Sequence, residues 1–165
     1  GVSPWTVLAQ GFSFQSNLSI GVTTFIVSIL VLLLWYPLSQ KPGLGTILNI
    51  ILISIVIDLT IPILPYPKSF SLQIIQSVVA VFVVGLGSGF YLTANLGPGP
   101  RDGLMTGLQN LTNQPIALIR TIIEISAVCV GFYLGGIVGI GTLLFAFGIG
   151  PTVSLGIFIV MKYFK

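Results

Sequence analysis

Arg120 and Glu124 are candidates for a chemical role, because they carry opposite charges inside a long apolar stretch. They are four residues apart, so on a helix they share one face and can form an ion pair. If the stretch crosses a bilayer, each charge costs at least about 2.5–3.5 kcal/mol unless it faces a polar interior. The pattern therefore predicts a substrate site or polar pathway. A structural salt bridge, or an Arg120 side chain that extends to the headgroups, is the alternative.

Two breaks rich in glycine and proline, at 1–4 and 97–100, each precede a short helical pattern. A helix N-terminus carries about half a positive charge and unpaired N–H groups. Two such ends that face each other within a membrane could bind an anion or the anionic end of a solute. Tight turns with a capping Asp102, and an interfacial Trp5, are the alternatives. The predicted substrate-binding residues are Ser3, Trp5, Thr6, Gln10, Gly99, Arg101, Asp102, Thr106, Arg120 and Glu124.

A third acidic residue, Asp58, lies in the second half of another apolar stretch, beside Thr60. A carboxylate that titrates within a membrane could couple proton movement to transport. Asp58 and Glu124 are therefore candidates for proton coupling. A capping or interfacial position for Asp58 is the alternative.

The composition excludes several kinds of chemistry. The chain has no histidine and a single cysteine, Cys129. A histidine-bound haem or metal, a serine–histidine catalytic pair, an internal disulfide and a CxxC metal site are thereby excluded. The six cations are too scattered to form a nucleic-acid surface. We expect no enzyme activity, no cofactor, no metal and no nucleic-acid partner.

The elements that must position these residues are membrane helices. Hydrophobic residues make up 55% of the 165 positions and charged residues only 5%, against about 25% charged in soluble domains. The apolar runs are continuous, as in spanning helices of about 20 residues. We therefore expect an all-α polytopic protein that forms one membrane domain over 1–165. Five spans are predicted, at about 20–37, 44–64, 72–96, 115–134 and 138–163.

Two further segments read as helices that are too short to span. Apolar residues recur at helical spacing over 101–113. Thirteen residues cover only about 20 Å of a hydrocarbon core about 30 Å thick. The segment 3–16 has the same character. We expect both to be broken or re-entrant helices, or helices at the interface, with a tilted full span as the alternative.

An internal repeat relates the two halves of the chain. A shift of 96 residues, without gaps, places identical residues on one another at many positions, including Gly1 on Gly97 and Pro4 on Pro100. The GxGT motif at 43–46 falls on another at 139–142. Repeat 1 covers about 1–64 and repeat 2 about 72–163. The first repeat has no counterpart of the span at 72–96, so we expect six spans in a complete chain.

Three spans per repeat would make the second repeat enter the membrane in the opposite sense, an inverted-topology architecture. With re-entrant short helices, Lys41, Arg101, Lys162 and Lys165 share one side and only Lys68 lies on the other. The positive-inside rule then places the C-terminus in the cytoplasm.

The motifs at these breaks resemble a known family. The segments ANLGPGPRDGL at 94–104 and GVSPWTVL at 1–8, together with the two GxGT motifs, are similar to the YczE/YyaS/YitT-type bacterial membrane proteins. The resemblance covers essentially the whole chain. It implies a multi-pass protein of the bacterial inner membrane and supplies no established activity.

We therefore expect a small transporter or channel for a small polar or anionic solute, embedded in the lipid bilayer. The alternative is a non-catalytic membrane subunit or scaffold that binds a partner protein or lipid, including a membrane component of a larger importer. Assembly as a homo-oligomer or with a partner membrane protein is compatible with both.

Overall fold

A computed structural model describes residues 1–65 and 67–163, without the side chains of 116 and 117, and this part of the chain is all-helical. Lys165, one of the charges used above for orientation, lies outside the described residues. The helices are α1 (Pro4–Ser16), α2 (Ile20–Leu33), α3 (Leu44–Thr60), α4 (Phe70–Thr93), α5 (Pro100–Thr112), α6 (Ile116–Tyr133) and α7 (Ile140–Tyr163).

The two predicted short helices are confirmed as α1 and α5, and they have matching ends. Each has 13 residues and begins with a proline. Proline suits the first helical position because its fixed φ is helical and its missing N–H would be unpaired there anyway. Each helix ends at an asparagine in the left-handed conformation, Asn17 with φ 57° and Asn113 with φ 55°. Asparagine tolerates this conformation, which commonly terminates helices.

Helices also occupy the five stretches predicted to span, although α2 and α3 each end four residues earlier than expected. By length and composition, two of them, α4 and α7, are able to cross a membrane. A third span results if α1 and α2, which meet at a bend of 112°, are counted together, and α3 is a shorter apolar helix. Residues 1–65 and 67–163 thus contain two or three candidate spans by this measure, and the count of five stays a prediction.

Close packing of α4 on α7 depends on small residues. Gly89 of α4 lies so near α7 that an added Cβ would be 2.6 Å from the backbone Cα of Gly156. Gly85 faces the side chain of Thr152 in the same way. Without a hydrophobic driving force between helices in lipid, such small-residue contacts are what allows backbones to approach. Elsewhere α1 packs on α6, α2 on α3, and α5 on both α2 and α6.

The two GxGT motifs hold the backbone that leads into the short helices. A Cβ added at Gly43 would be 3.0 Å from the Cα of Gly97, so these two glycines are in close contact. The Thr46 hydroxyl donates to the carbonyl of Pro98 at 2.7 Å. In the other half, a Cβ added at Gly139 would be 3.1 Å from the Cα of Gly1. The beginning of α3 therefore fixes the segment that precedes α5, and the beginning of α7 fixes the segment that precedes α1.

Candidate functional site

A cavity of about 720 Å³ lies where α3, α4, α6 and α7 meet the beginnings of α1 and α5. This volume is within the usual range of about 300–1,000 Å³ for small-molecule sites. Both arginines of the chain and two of its three acidic residues line it. The polar lining comprises Ser3, Thr6, Asn49, Gln73, Gln76, Ser77, Ser88, Tyr91, Arg101, Asp102, Arg120 and Glu124.

Two tryptophans position the beginning of α5. The guanidinium carbon of Arg101 lies 5.3 Å from the centre of the Trp5 ring, within the range of cation–π attraction. The indole of Trp35 donates to the carbonyl of Pro100 at 2.9 Å. Both rings are buried, with 7% of Trp5 and 1% of Trp35 exposed. Trp5 is therefore part of the core that supports Arg101.

Tyr91 of α4 joins the beginning of α5 from the other side. Its hydroxyl donates to Oδ2 of Asp102 and accepts from the backbone N–H of Gly99 at 3.2 Å. A Cβ at Gly99 would be 2.9 Å from that hydroxyl, so the glycine provides the space for this contact. The Asp102 carboxylate thus has a defined neutral partner at the cavity wall.

Arg120 and Glu124 contribute the charges of α6. Glu124 is only 6% exposed. Arg120 Nε and Glu124 Oε2 are both buried and have no hydrogen-bond partner, so the predicted pairing does not involve these two atoms. Buried charges are stable only when they are paired and hydrogen-bonded. With one buried atom each left without a partner, these two side chains are incompletely satisfied by the protein.

The beginning of α1 faces the same cavity. The Ser3 hydroxyl caps the helix by accepting from the backbone N–H of Thr6 at 3.2 Å, and it lies 2.7 Å from the Thr6 hydroxyl. The beginning of α5 has Gly99 at the capping position and no side-chain cap. The structure therefore brings both helix N-termini to one cavity.

Four of the predicted site residues are not part of the cavity lining: Trp5, which packs against Arg101, and three that form hydrogen bonds elsewhere. Gln10 accepts from the backbone N–H of Ile137 at 3.4 Å, and the Thr106 hydroxyl donates to the carbonyl of Asp102 at 2.9 Å. Asp58 accepts from the Ser19 hydroxyl at 2.5 Å and from the backbone N–H of Gly21 at 2.7 Å. These are hydrogen bonds to the N-terminus of α2, as in the capping alternative, and the role of Asp58 in proton coupling stays a prediction.

The sequence reasoning missed the contribution of α4, including Tyr91. A signal for it was present in the spacing. Cavity-lining residues of α4 recur every three or four positions, which places them on one helical face. The full set is Gln73, Gln76, Ser77, Ala80, Val81, Val84, Ser88 and Tyr91.

The chemistry that this arrangement supports is recognition of charge. Arginine binds carboxylate and phosphate oxygens through a planar array of donors, and a carboxylate accepts from an ammonium group. No group of three His, Cys, Asp or Glu side chains that could hold a metal occurs in residues 1–65 and 67–163.

Comparison with known proteins identifies relatives. An uncharacterized protein of Haemophilus influenzae is 43% identical over 162 residues, which are 98% of this chain and 74% of that protein. The uncharacterized membrane protein YczE of Bacillus subtilis is 31% identical over 147 residues, 88% of this chain and 68% of its own. The uncharacterized protein YyaS of the same organism is 27% identical over 148 residues, which are 87% of this chain and 74% of that protein. No solved structure matches.

These relatives confirm the resemblance to YczE and YyaS that was drawn from the Gly/Pro motifs. Together with the apolar helices α4 and α7, they identify the chain as a membrane protein. The family model described as "Family of unknown function (DUF6198)" matches residues 1–157, and the chain belongs to that family.

Proposed function

We propose that this protein is a small transporter or channel of the bacterial inner membrane that binds a small polar or anionic solute in the charged cavity. The observation that carries this proposal is the meeting of both arginines, two of the three acids and two helix N-termini at one cavity. Ionisable residues inside a membrane are costly and typically mark a solute or ion pathway. The role we assign is binding and translocation, without catalysis.

We further propose that the architecture is the inverted repeat, with five spans in this chain and the two short helices re-entrant. Helix positions support this. The first residues of α1 and α5, Pro4 and Pro100, are 96 residues apart, and the same separation holds between α2 and α6 and between α3 and α7. Broken helices whose N-termini point at a central site are typical of inverted-repeat transporters. Under this topology Lys41 and Lys162 face the cytoplasm, as does the C-terminus.

The function is tested by uptake into proteoliposomes that contain the purified protein. Radiolabelled phosphate, succinate and L-leucine serve as probes because they represent an inorganic anion, an organic anion and a zwitterion. We expect uptake of at least one probe above protein-free vesicles. Arg120→Gln and Glu124→Gln should each reduce that uptake at least about tenfold, because removing one partner from a buried charge cluster leaves the other unpaired.

The matched control is Lys41→Gln, which removes an equal charge at an exposed position outside the cavity and should leave uptake unchanged. Folded Arg120 and Glu124 variants that transport as well as the wild type would contradict the proposal. If no probe is taken up and a defined membrane protein co-purifies, the alternative of a non-transporting subunit or scaffold gains support.

A further inference from the structure

The formal charges that line the cavity balance. Arg101 and Arg120 are opposed by Asp102 and Glu124. Two of the four already have partners, since Arg101 lies over the Trp5 ring and Asp102 accepts from Tyr91. Of the four, Arg120 and Glu124, one positive and one negative, each have a side-chain atom that is buried without a hydrogen-bond partner.

These two residues present complementary groups side by side. Both line the cavity, and one polar atom of each, Arg120 Nε and Glu124 Oε2, is buried without a hydrogen-bond partner. They stand one helical turn apart on α6, where Cβ atoms are about 5–6 Å from each other. A solute at this wall meets a donor with positive charge and an acceptor with negative charge at nearly the same place.

A simple anion would satisfy only half of this arrangement. It would pair with an arginine, but it would leave the Glu124 carboxylate unpaired and would be repelled by it at short range in a medium of low dielectric constant. A simple cation would pair with Glu124, but it would leave Arg120 unpaired and would be repelled by it. A solute that carries a carboxylate and an ammonium group close together satisfies both residues and leaves the balance of charge unchanged.

The remainder of the cavity accommodates an apolar body. Val81 of α4, Met105 of α5, and Phe145 and Ile149 of α7 line it beyond the charged residues. Ligand sites commonly combine a mostly apolar wall with a few polar groups that fix the orientation of the ligand.

From this arrangement we infer that the solute is an amphipathic zwitterion of the amino-acid class, whose carboxylate is bound by Arg120 and whose ammonium group is bound by Glu124. The inference rests on the proposed function and specifies the solute of the same cavity. The N-terminus of α5, which has no side-chain cap, adds N–H donors to the same cavity.

The test compares three probes of nearly equal shape on the full chain in lipid nanodiscs. L-leucine carries both charges, 4-methylpentanoate only the carboxylate, and 3-methylbutylamine only the ammonium group. Calorimetry should show leucine binding at least about 30-fold more tightly than either analogue, since each analogue leaves one buried charge unpaired. In Glu124→Gln the preference for leucine over 4-methylpentanoate should fall by a similar factor, and Lys41→Gln should retain it.

The outcomes separate this inference from the proposed function. Equal binding of leucine and 4-methylpentanoate overturns the zwitterion inference and leaves an anion carrier. Absence of leucine binding also overturns it, and uptake of phosphate or succinate would then still support transport. If no probe is bound or taken up, both proposals fail. If Glu124→Gln does not fold, the ratios measured on the wild type decide the question by themselves.

Discussion

The hydroxyl of Tyr91 links two helices at the cavity wall with a single side chain. It donates to the carboxylate of Asp102 and accepts from the N–H of Gly99, so it fixes both the first turn of α5 and the residue before it. A charged residue in an apolar run is conspicuous, and for that reason Arg120 and Glu124 could be identified from the sequence alone. A tyrosine in an apolar run is ordinary, and its partner follows 11 residues later, beyond a glycine–proline break, so only the fold reveals the contact.

Removal of this hydroxyl is expected to destabilise the protein and weaken solute binding. In Tyr91→Phe the N–H of Gly99 and the carboxylate of Asp102 lose a shared partner, and a buried group left without one costs about 1–3 kcal/mol. Thermal unfolding in nanodiscs measures the stability. Tyr36→Phe is the matched control, because Tyr36 is 92% exposed, and it should unfold as the wild type does. Equal unfolding of the two variants would show that the Tyr91 contacts contribute nothing.

Among the helices, the packing of α4 on α7 shows most clearly a dependence on small residues. Gly89 permits contact with the backbone of Gly156, whereas Gly87, two residues earlier, has no atom within 4 Å of an added Cβ. The positions of the helices could be predicted well, because glycine, proline and polar turn residues interrupt the apolar runs. Their packing partners could not be predicted, because 20 glycines in a chain of 165 residues offer many equivalent small surfaces.

This difference predicts opposite outcomes for two similar substitutions. Gly89→Ala should destabilise the protein by about 1–3 kcal/mol, the usual cost of an extra methyl group in a filled interface. Gly87→Ala should cause no loss, because the methyl group enters open space and alanine favours a helix over glycine. The measurement is thermal unfolding of both variants in the same nanodiscs. A Gly87→Ala variant as unstable as Gly89→Ala would place the α4–α7 contact elsewhere.

The two short helices, α1 and α5, begin at one cavity. Under the proposed inverted repeat, their far ends lie on opposite sides of the membrane. Ser16 and Thr112 are the matching last residues of these helices, and both are exposed. The single native thiol, Cys129, is exposed as well and must be removed before labelling. The repeat could be predicted from the sequence because identical residues recur at a constant shift. The orientation of each copy relative to the bilayer rests on a few charges, Lys41, Lys68 and Lys162 among them, and stays a prediction.

Single cysteines at the two helix ends test this topology. In a Cys129→Ser background, Ser16→Cys and Thr112→Cys should react with a membrane-impermeant maleimide from opposite sides of the membrane. The background protein without an added cysteine should remain unlabelled. Labelling of both cysteines from the same side would contradict the inverted arrangement while leaving the cavity itself intact.

The contacts made by the GxGT motifs also bear on how the protein is synthesised. The segment before α5 rests on the beginning of α3, which the ribosome has already delivered when that segment emerges. The segment before α1 rests on residues 139–142, at the beginning of α7, which follows α1 to α6 in chain order. A nascent chain released before α7 would therefore have the contact that supports the segment before α5 and lack the contact that supports the segment before α1. We expect membrane quality control to recognise such an unfinished chain by that unsupported segment.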